Sequence, residues 1–176
     1  WDSGLEPAQI AALAGGLSPL SVRSYTPVIG TDVSAAARNV NASVLLRIPF
    51  TVAQPAGLDL LILKMRYDDG FVAWLNGTEI ARRNAPAGPV PAFNAAATAA
   101  RAAGAGLITE EIDISAYASL LVAGPNLLAI QGMNATAADA DFLVLPELIT
   151  GQVKPDQFFK APTPGIPNGP GVSGFT

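Results

Sequence analysis

Two adjacent acids, Asp68 and Asp69, open the stretch "DDGFVAWLNGTEIARRN" (68–84), and Arg82, Arg83 and Asn84 stand where the chain returns. A second acidic pair, Asp139 and Asp141, lies in "ATAADADF" (135–142). Carboxylates in this pattern suit three tasks. Asp side chains bond nearby backbone N–H groups and so make turns. Calcium takes six to eight oxygens, and Asp68, Asp69, Asp139 and Asp141 could supply several of them if their loops meet. Two carboxylates can act as acid and base on a glycoside, but only at a defined separation across the sugar, which no spacing in this sequence sets. The turn-making role is favoured for Asp68 and Asp69, with calcium as the one candidate cofactor. Arg82, Arg83 and Asn84, with Phe93 and Asn94 in the loop that follows, make a candidate sugar-binding rim, because amide and guanidinium donors beside an aromatic platform suit hydroxyl-rich ligands. The competing reading of that group is a solvated hairpin end. Asn41, Asn76 and Asn134 each match the glycan acceptor pattern, a short motif that chance often produces.

The chain has neither cysteine nor histidine. This removes a cysteine nucleophile, a Ser-His-Asp relay and the usual Cys/His zinc site. The chain is therefore expected not to be an enzyme. Acids exceed bases, 14 to 10, for a net charge of −4 with no basic run, so the footprint of a nucleic-acid binder is missing. No apolar run approaches the roughly 20 residues that cross a bilayer, so no membrane insertion is expected and the chain reads as soluble. Lack of cysteine leaves the redox compartment open. Trp1 follows no initiator Met and no signal peptide precedes it, so the chain is expected to be a processed or excised piece of something longer.

The elements that must position these residues are mostly short strands. "LEPAQIAALAGGL" (5–17) sets Leu5, Ile10, Leu13 and Leu17 near one helical face, with Pro7 in the first turn and a Gly pair at the end. "SVLLRIPFTV" (43–52) and "LDLLILKMRY" (58–67) are β-rich runs separated by turn-forming "AQPAG", and read as two antiparallel strands. Asn76-Gly77 suits a type I′ turn closing "FVAWL" onto "TEIAR". A simple ladder through that turn sets Trp74 opposite Glu79, Ala73 opposite Ile80 and Phe71 opposite Arg82. Residues 85–106, rich in Ala, Gly and Pro, read as a long loop; then come strands in 106–114, 126–134 and 141–149, with a short helix or turn at 115–124. Many short strands with little helix predict an all-β chain, a β-sandwich of jelly-roll type. The chain divides into an N-terminal helical segment (1–20), the β-sandwich (21–153) and a Pro/Gly-rich tail (154–176) that cannot build a core alone.

Several ordered blocks carry a resemblance: "VIGTDV" (28–33), "LRIPFTV" (46–52), "RYDDGFVAWLNGTEIARRNAP" (66–86), "NLLAIQGMNATAADADFLVLPEL" (126–148) and "FFKAPTPGIPNG" (158–169). Together they resemble a module of large secreted bacterial proteins that stands beside lamin-tail, spore-coat-kinase-like and laminin-G-like domains and is similar to galactose-binding-like jelly rolls. Residues 1–20 resemble the end of a preceding laminin-G-like domain. The resemblance implies a non-catalytic interaction module at an extracellular or cell-surface location, and carries over no binding residues. Two functions follow as expectations. One is a structural module that assembles with neighbouring copies of itself or adjacent domains, with Phe158, Phe159, Ile166, Val172 and Phe175 of the tail as anchors on a sheet edge or groove. The alternative is a carbohydrate-binding module for polysaccharide.

Overall fold

A computed structural model describes residues 25–102 and 104–153, together with Ile10, Ala14 and the backbone of 157–158 and 172–173. Its strands are β1 (Ser43–Val52), β2 (Leu60–Asp68), β3 (Gly70–Leu75), β4 (Thr78–Arg83), β5 (Glu110–Asp113), β6 (Gly124–Met133) and β7 (Leu143–Gly151), followed by the two-residue strands β8 (Gln157–Phe158) and β9 (Val172–Ser173). One sheet has the order β1-β6-β3-β4 and the second the order β5-β2-β7, and every pairing is antiparallel. Short helical turns, among them Ser34–Ala37 and Ser115–Leu120, fill some of the connections. Among the described residues no helix is long and apolar enough to cross a membrane.

Period-two alternation builds the core between the sheets. β2 turns Leu61, Leu63, Met65 and Tyr67 inward, β3 turns Phe71, Ala73 and Leu75, and β6 turns Leu128 and Ile130. Leu61, Leu63, Met65, Phe71 and Leu75 are completely buried, each worth about 1.5–3 kcal/mol over its exposed state. The all-β sandwich is thus as the sequence predicts, with strand limits within a few residues of those expected.

Two pairings differ. β1 and β2 do not pair with each other: β1 joins β6 and β2 joins β5 and β7, so the 53–59 connection crosses between sheets. The reason is that both strands carry an apolar inward face, and stacking the two faces buries both, whereas a side-by-side hairpin would leave them to be covered by something else. The second difference lies in the β3–β4 hairpin. Asn76 (φ 50°) and Gly77 (φ 88°) make the expected turn, and Trp74 lies opposite Glu79, but a bulge then sets Ala73 opposite Ala81, Val72 opposite Arg82 and Phe71 opposite Arg83. The extra residue is Ile80. The bulge lets consecutive Ile80 and Ala81 both join the core, which strict alternation forbids.

The outer face of the four-stranded sheet is also apolar. Val72, Met133 and Trp74 form a second cluster with Ala85, Ala95 and Ala97 of the long loop that covers them. Alanines supply little burial, so polar pins hold the loop. Gln131, completely buried, donates to Ala92 O (2.8 Å) and Ser43 Oγ (3.0 Å), and Arg82 donates to the carbonyls of Pro86 and Gly88. Of the helix expected over 5–17 only Ile10 and Ala14 lie among the described residues, both helical. In the tail the backbone of Gln157 pairs with Ser173 and that of Phe158 with Val172.

Candidate functional site

The chain passes from one sheet to the other at Asp68-Asp69, where β2 ends and β3 begins one residue later. The peptide between the two acids is cis. Gly70 follows because a Cβ there would lie 2.5 Å from the Asn84 carbonyl oxygen. Asp69 is buried and fully engaged. Its Oδ1 accepts the Arg101 N–H (2.6 Å), its Oδ2 the Ala135 N–H (2.8 Å), and its own N–H donates to Met133 O (2.9 Å). It does bond backbone N–H groups, but of residues 32 and 66 positions away, so it joins two distant loops to the corner.

Asp68 is 3% exposed. Its Oδ2 accepts the Tyr25 hydroxyl (2.8 Å), while its Oδ1 has no partner. Burial first, then the adjoining Asp69 carboxylate, push its carboxyl up to about 7. Burial and the Asp68 contact in turn raise the Tyr25 phenol. Beside the corner, Arg101 stacks 4.0 Å above the Tyr67 ring and donates to Tyr67 O. The Tyr67 hydroxyl donates to Glu110 (2.8 Å), and burial, followed by that bond, holds it up near 12.

Asp139 and Asp141 reach the same region from the loop between β6 and β7. Asp139 is raised above the usual carboxylate range by partial burial and then by the charges of Asp69 and Asp141. The four acids named from the sequence therefore do share one neighbourhood, yet among the described residues no three acidic side chains are set to hold a metal ion. Asp139 and Asp141 line a groove of about 900 Å³, bounded by the 25–48 segment on one side and 134–145 on the other. Asn134 also lines it, and its Oδ1 is buried without a partner. A smaller groove of about 260 Å³ continues between β1 and β7, walled by Ile48, Phe50, Pro146 and Leu148.

The sugar-rim residues are differently placed. Arg82 chelates Glu79 with two nitrogens (2.9 and 2.7 Å), which lowers the Glu79 carboxyl and raises Arg82. Arg83 pairs with Glu110 at 2.6 Å. Asn84 donates to Asp69 O (3.1 Å) and Ala99 O (2.5 Å) and accepts the Thr98 hydroxyl. These donors are taken up inside the chain, while Phe93 (70% exposed) and Asn94 face solvent. Of the tail anchors, Phe159, Ile166 and Phe175 lie outside the described residues, and of Phe158 and Val172 the backbone alone is described. Tyr25 and Arg101 were not singled out by the sequence reading. Arg101 carried a signal, being the sole charged residue in 85–109.

A scan against protein-family models finds no match, and no curated protein matches. Among solved structures, the chain is similar to a β-D-mannosidase from Dictyoglomus thermophilum at 16% identity and a TM-score of 0.35, over 70% of this chain and 12% of that one.

Proposed function

We propose that this chain is a non-catalytic interaction module of the galactose-binding-like jelly-roll kind in an extracellular or cell-surface protein, and that it takes an extended segment of a neighbouring copy into the cleft between β1 and β7. One observation carries this reading. Four strands face three, and the inward side chains of the edge strand β1 (Leu46, Ile48, Phe50 and Val52) stay half-buried, whereas those of β2 and β3 are buried. Both grooves open along that uncovered side. Apolar surface left open in this way marks an interaction site. The acids support the absence of catalysis: Asp69 spends both oxygens on backbone N–H groups, and Asp68 is buried.

The free edges argue that the occupant docks by side chains rather than by extending a sheet. β1 carries Pro49, β7 carries Pro146, β4 is bulged and bears two arginines, and β5 is four residues long with Glu110 and Glu111. Each is a device that discourages edge pairing. The tail, with Phe158, Phe159, Ile166, Val172 and Phe175, has the apolar side chains such a cleft accepts. Sedimentation of the chain with and without residues 154–176 tests the reading. Association of the full chain, lost on truncation and weakened by Ile48→Arg, is expected. Full and truncated chains that are both monomeric would overturn it. The exposed Phe93 favours the carbohydrate alternative, which a glycan array tests through a signal lost in Phe93→Ala.

A further inference from the structure

We infer that residues 25–41 form a flap along one bank of the larger groove, latched through Tyr25 onto Asp68 and released when that carboxyl gives up its proton. The segment is built to move. Of residues 25–41 Tyr25 alone is buried, and neither of its short helical turns, Thr26–Val28 and Ser34–Ala37, contributes a buried residue. Its apolar side chains Ile29 and Val40 are exposed. A segment with so little burial opens locally at small cost while the core stays folded. Bonds at each end tie it to the rest of the chain. The Tyr25 hydroxyl donates to Asp68 Oδ2 (2.8 Å), and the Asn39 N–H donates to Ala137 O (2.6 Å). The first of these ends on a group that titrates.

The surroundings of Asp68 make the latch conditional on its proton. Asp69 commits both oxygens as acceptors of the Arg101 and Ala135 N–H groups, so a proton held between the two neighbouring acids sits on Asp68. There it turns the unpartnered Oδ1 into a donor with the Asp69 carboxyl in reach. Without it, two charges stand side by side in a closed corner. A Cβ on Gly106 would lie 2.7 Å from the Tyr25 hydroxyl oxygen and 3.1 Å from Asp68 Cβ, so the Ala105–Leu107 turn leaves no space over the pair. The other charged groups around the corner give no relief. Asp141 adds to the repulsion on Asp68, and Asp139 stands beside Asp69 and Asp141. The Arg101 guanidinium is spent on the Tyr67 ring and carbonyl, and Glu110 is bonded to Tyr67 and Arg83.

An ionised Asp68 therefore needs water, and of the two covers the flap is the one that yields. The Ala105–Leu107 turn holds buried Gly106 and leads into β5, which is laddered to β2, whereas the flap has Tyr25 as its one buried anchor. Asp68 titrates at about 7 in the closed corner against 3.8 for a solvated carboxyl, so closure is favoured on the acid side and weakens as pH rises through 7. From pH 5 to pH 8 the ratio of open to closed should rise by about 30- to 100-fold. Opening removes one bank of the groove, whether or not a neighbouring copy's tail is what the groove takes.

Hydrogen exchange of the full chain, followed by NMR at pH 5 and pH 8 and corrected for the intrinsic pH dependence of amide exchange, tests the flap. The Asn39 amide should open more readily than the core amides of Leu63 and Ile130 at both pH values, and about 30- to 100-fold more at pH 8 than at pH 5. Asp68→Asn should remove that difference. Tyr25→Phe keeps the ring and loses the latch, and should raise Asn39 opening about 5-fold already at pH 5. Asn39 opening that is independent of pH in the parent would overturn the inference. So would a pH response confined to amides 104–108, which would make the turn the moving cover, or one seen at Asn39 only at the rate of the core amides, which is global unfolding. A pH response retained in Asp68→Asn, or parent-like exchange in Tyr25→Phe, would equally refute the latch.

Discussion

The turn at Asn76 allows backbone and side-chain contributions to be separated by two substitutions. Asn76 sits at φ 50°, where Gly is at ease and a residue with a Cβ is strained by about 1–2 kcal/mol, Asn less than most. Its side chain also ties three elements together. Oδ1 accepts the Leu127 N–H of β6, and Nδ2 donates to Leu120 O and to Asn126 Oδ1, each at 2.8 Å. Asn126 is buried and in turn accepts from Val122 N–H and donates to Val122 O and Gly124 O. Removing the Asn76 side chain thus strips two bonds from β6 and one from the Ser115–Leu120 turn. Net bonds in a partly wet setting contribute about 0.5–1 kcal/mol each, so Asn76→Gly should cost about 2 kcal/mol. Asn76→Ala loses the same bonds and adds backbone strain, for about 3 kcal/mol. For a chain of this size the two should lower melting by about 4–8 °C and 6–12 °C respectively in calorimetry. Equal melting of Asn76→Gly and the parent would refute the bracing role. Equal melting of the Gly and Ala variants would refute the need for a positive φ.

Three further expectations follow from the corner. Asp68 titrates near 7 when folded against 3.8 when unfolded, so the folded chain keeps a proton that the unfolded chain has released. Stability should therefore be highest at the acid end of that window and fall as pH rises through 7, by about 2–3 kcal/mol between pH 5 and pH 8. Urea denaturation in EDTA at both pH values should show that loss, and Asp68→Asn should flatten it; parallel curves for parent and variant would count against the assignment. Gly70→Ala forces a Cβ to 2.5 Å from a backbone oxygen and should lower the urea midpoint by the equivalent of about 2 kcal/mol or more, whereas an unchanged midpoint would mean that Asn84 yields freely. Arg101→Lys keeps the charge but loses the planar stack on Tyr67, and should cost about 1 kcal/mol in the same assay.

Strands were legible wherever alternation or a turn signal was local. β1 occupies the ten residues of "SVLLRIPFTV", and the Asn76-Gly77 turn falls where its residue types place it. Partnership was not legible, because an inward apolar face in β1 and one in β2 are satisfied equally by pairing side by side or by stacking, and long-range packing decides. The Ile80 bulge escaped for a related reason: two consecutive apolar residues break the alternation by one step, too short a run to register. In the corner, the types of Asp68 and Asp69 announced a turn. Their actual partners, Tyr25, Arg101 and Ala135, stand 43, 32 and 66 residues away, and sequence spacing says nothing of contacts at that range. Asn134 resembled a glycan acceptor by motif, but its burial and its missing donor are properties of the fold alone.

The strand order also sets a schedule for folding. Among the described residues β1 finds its one ladder partner in β6, with Val52 opposite Gly124 and Ser43 opposite Met133, so 72 to 90 residues must be available before that ladder can close. The β3–β4 hairpin needs two residues of turn and can form early, whereas the β1–β6 ladder has a large loop entropy to overcome and forms late. During synthesis "SVLLRIPFTV" therefore waits, unpaired, as the kind of β-prone apolar segment that associates with its like in other nascent chains. Arg47 and Pro49 interrupt that run at its centre. They act there as gatekeepers. Their removal should show first as aggregation on refolding, at protein concentrations where the finished fold is still stable.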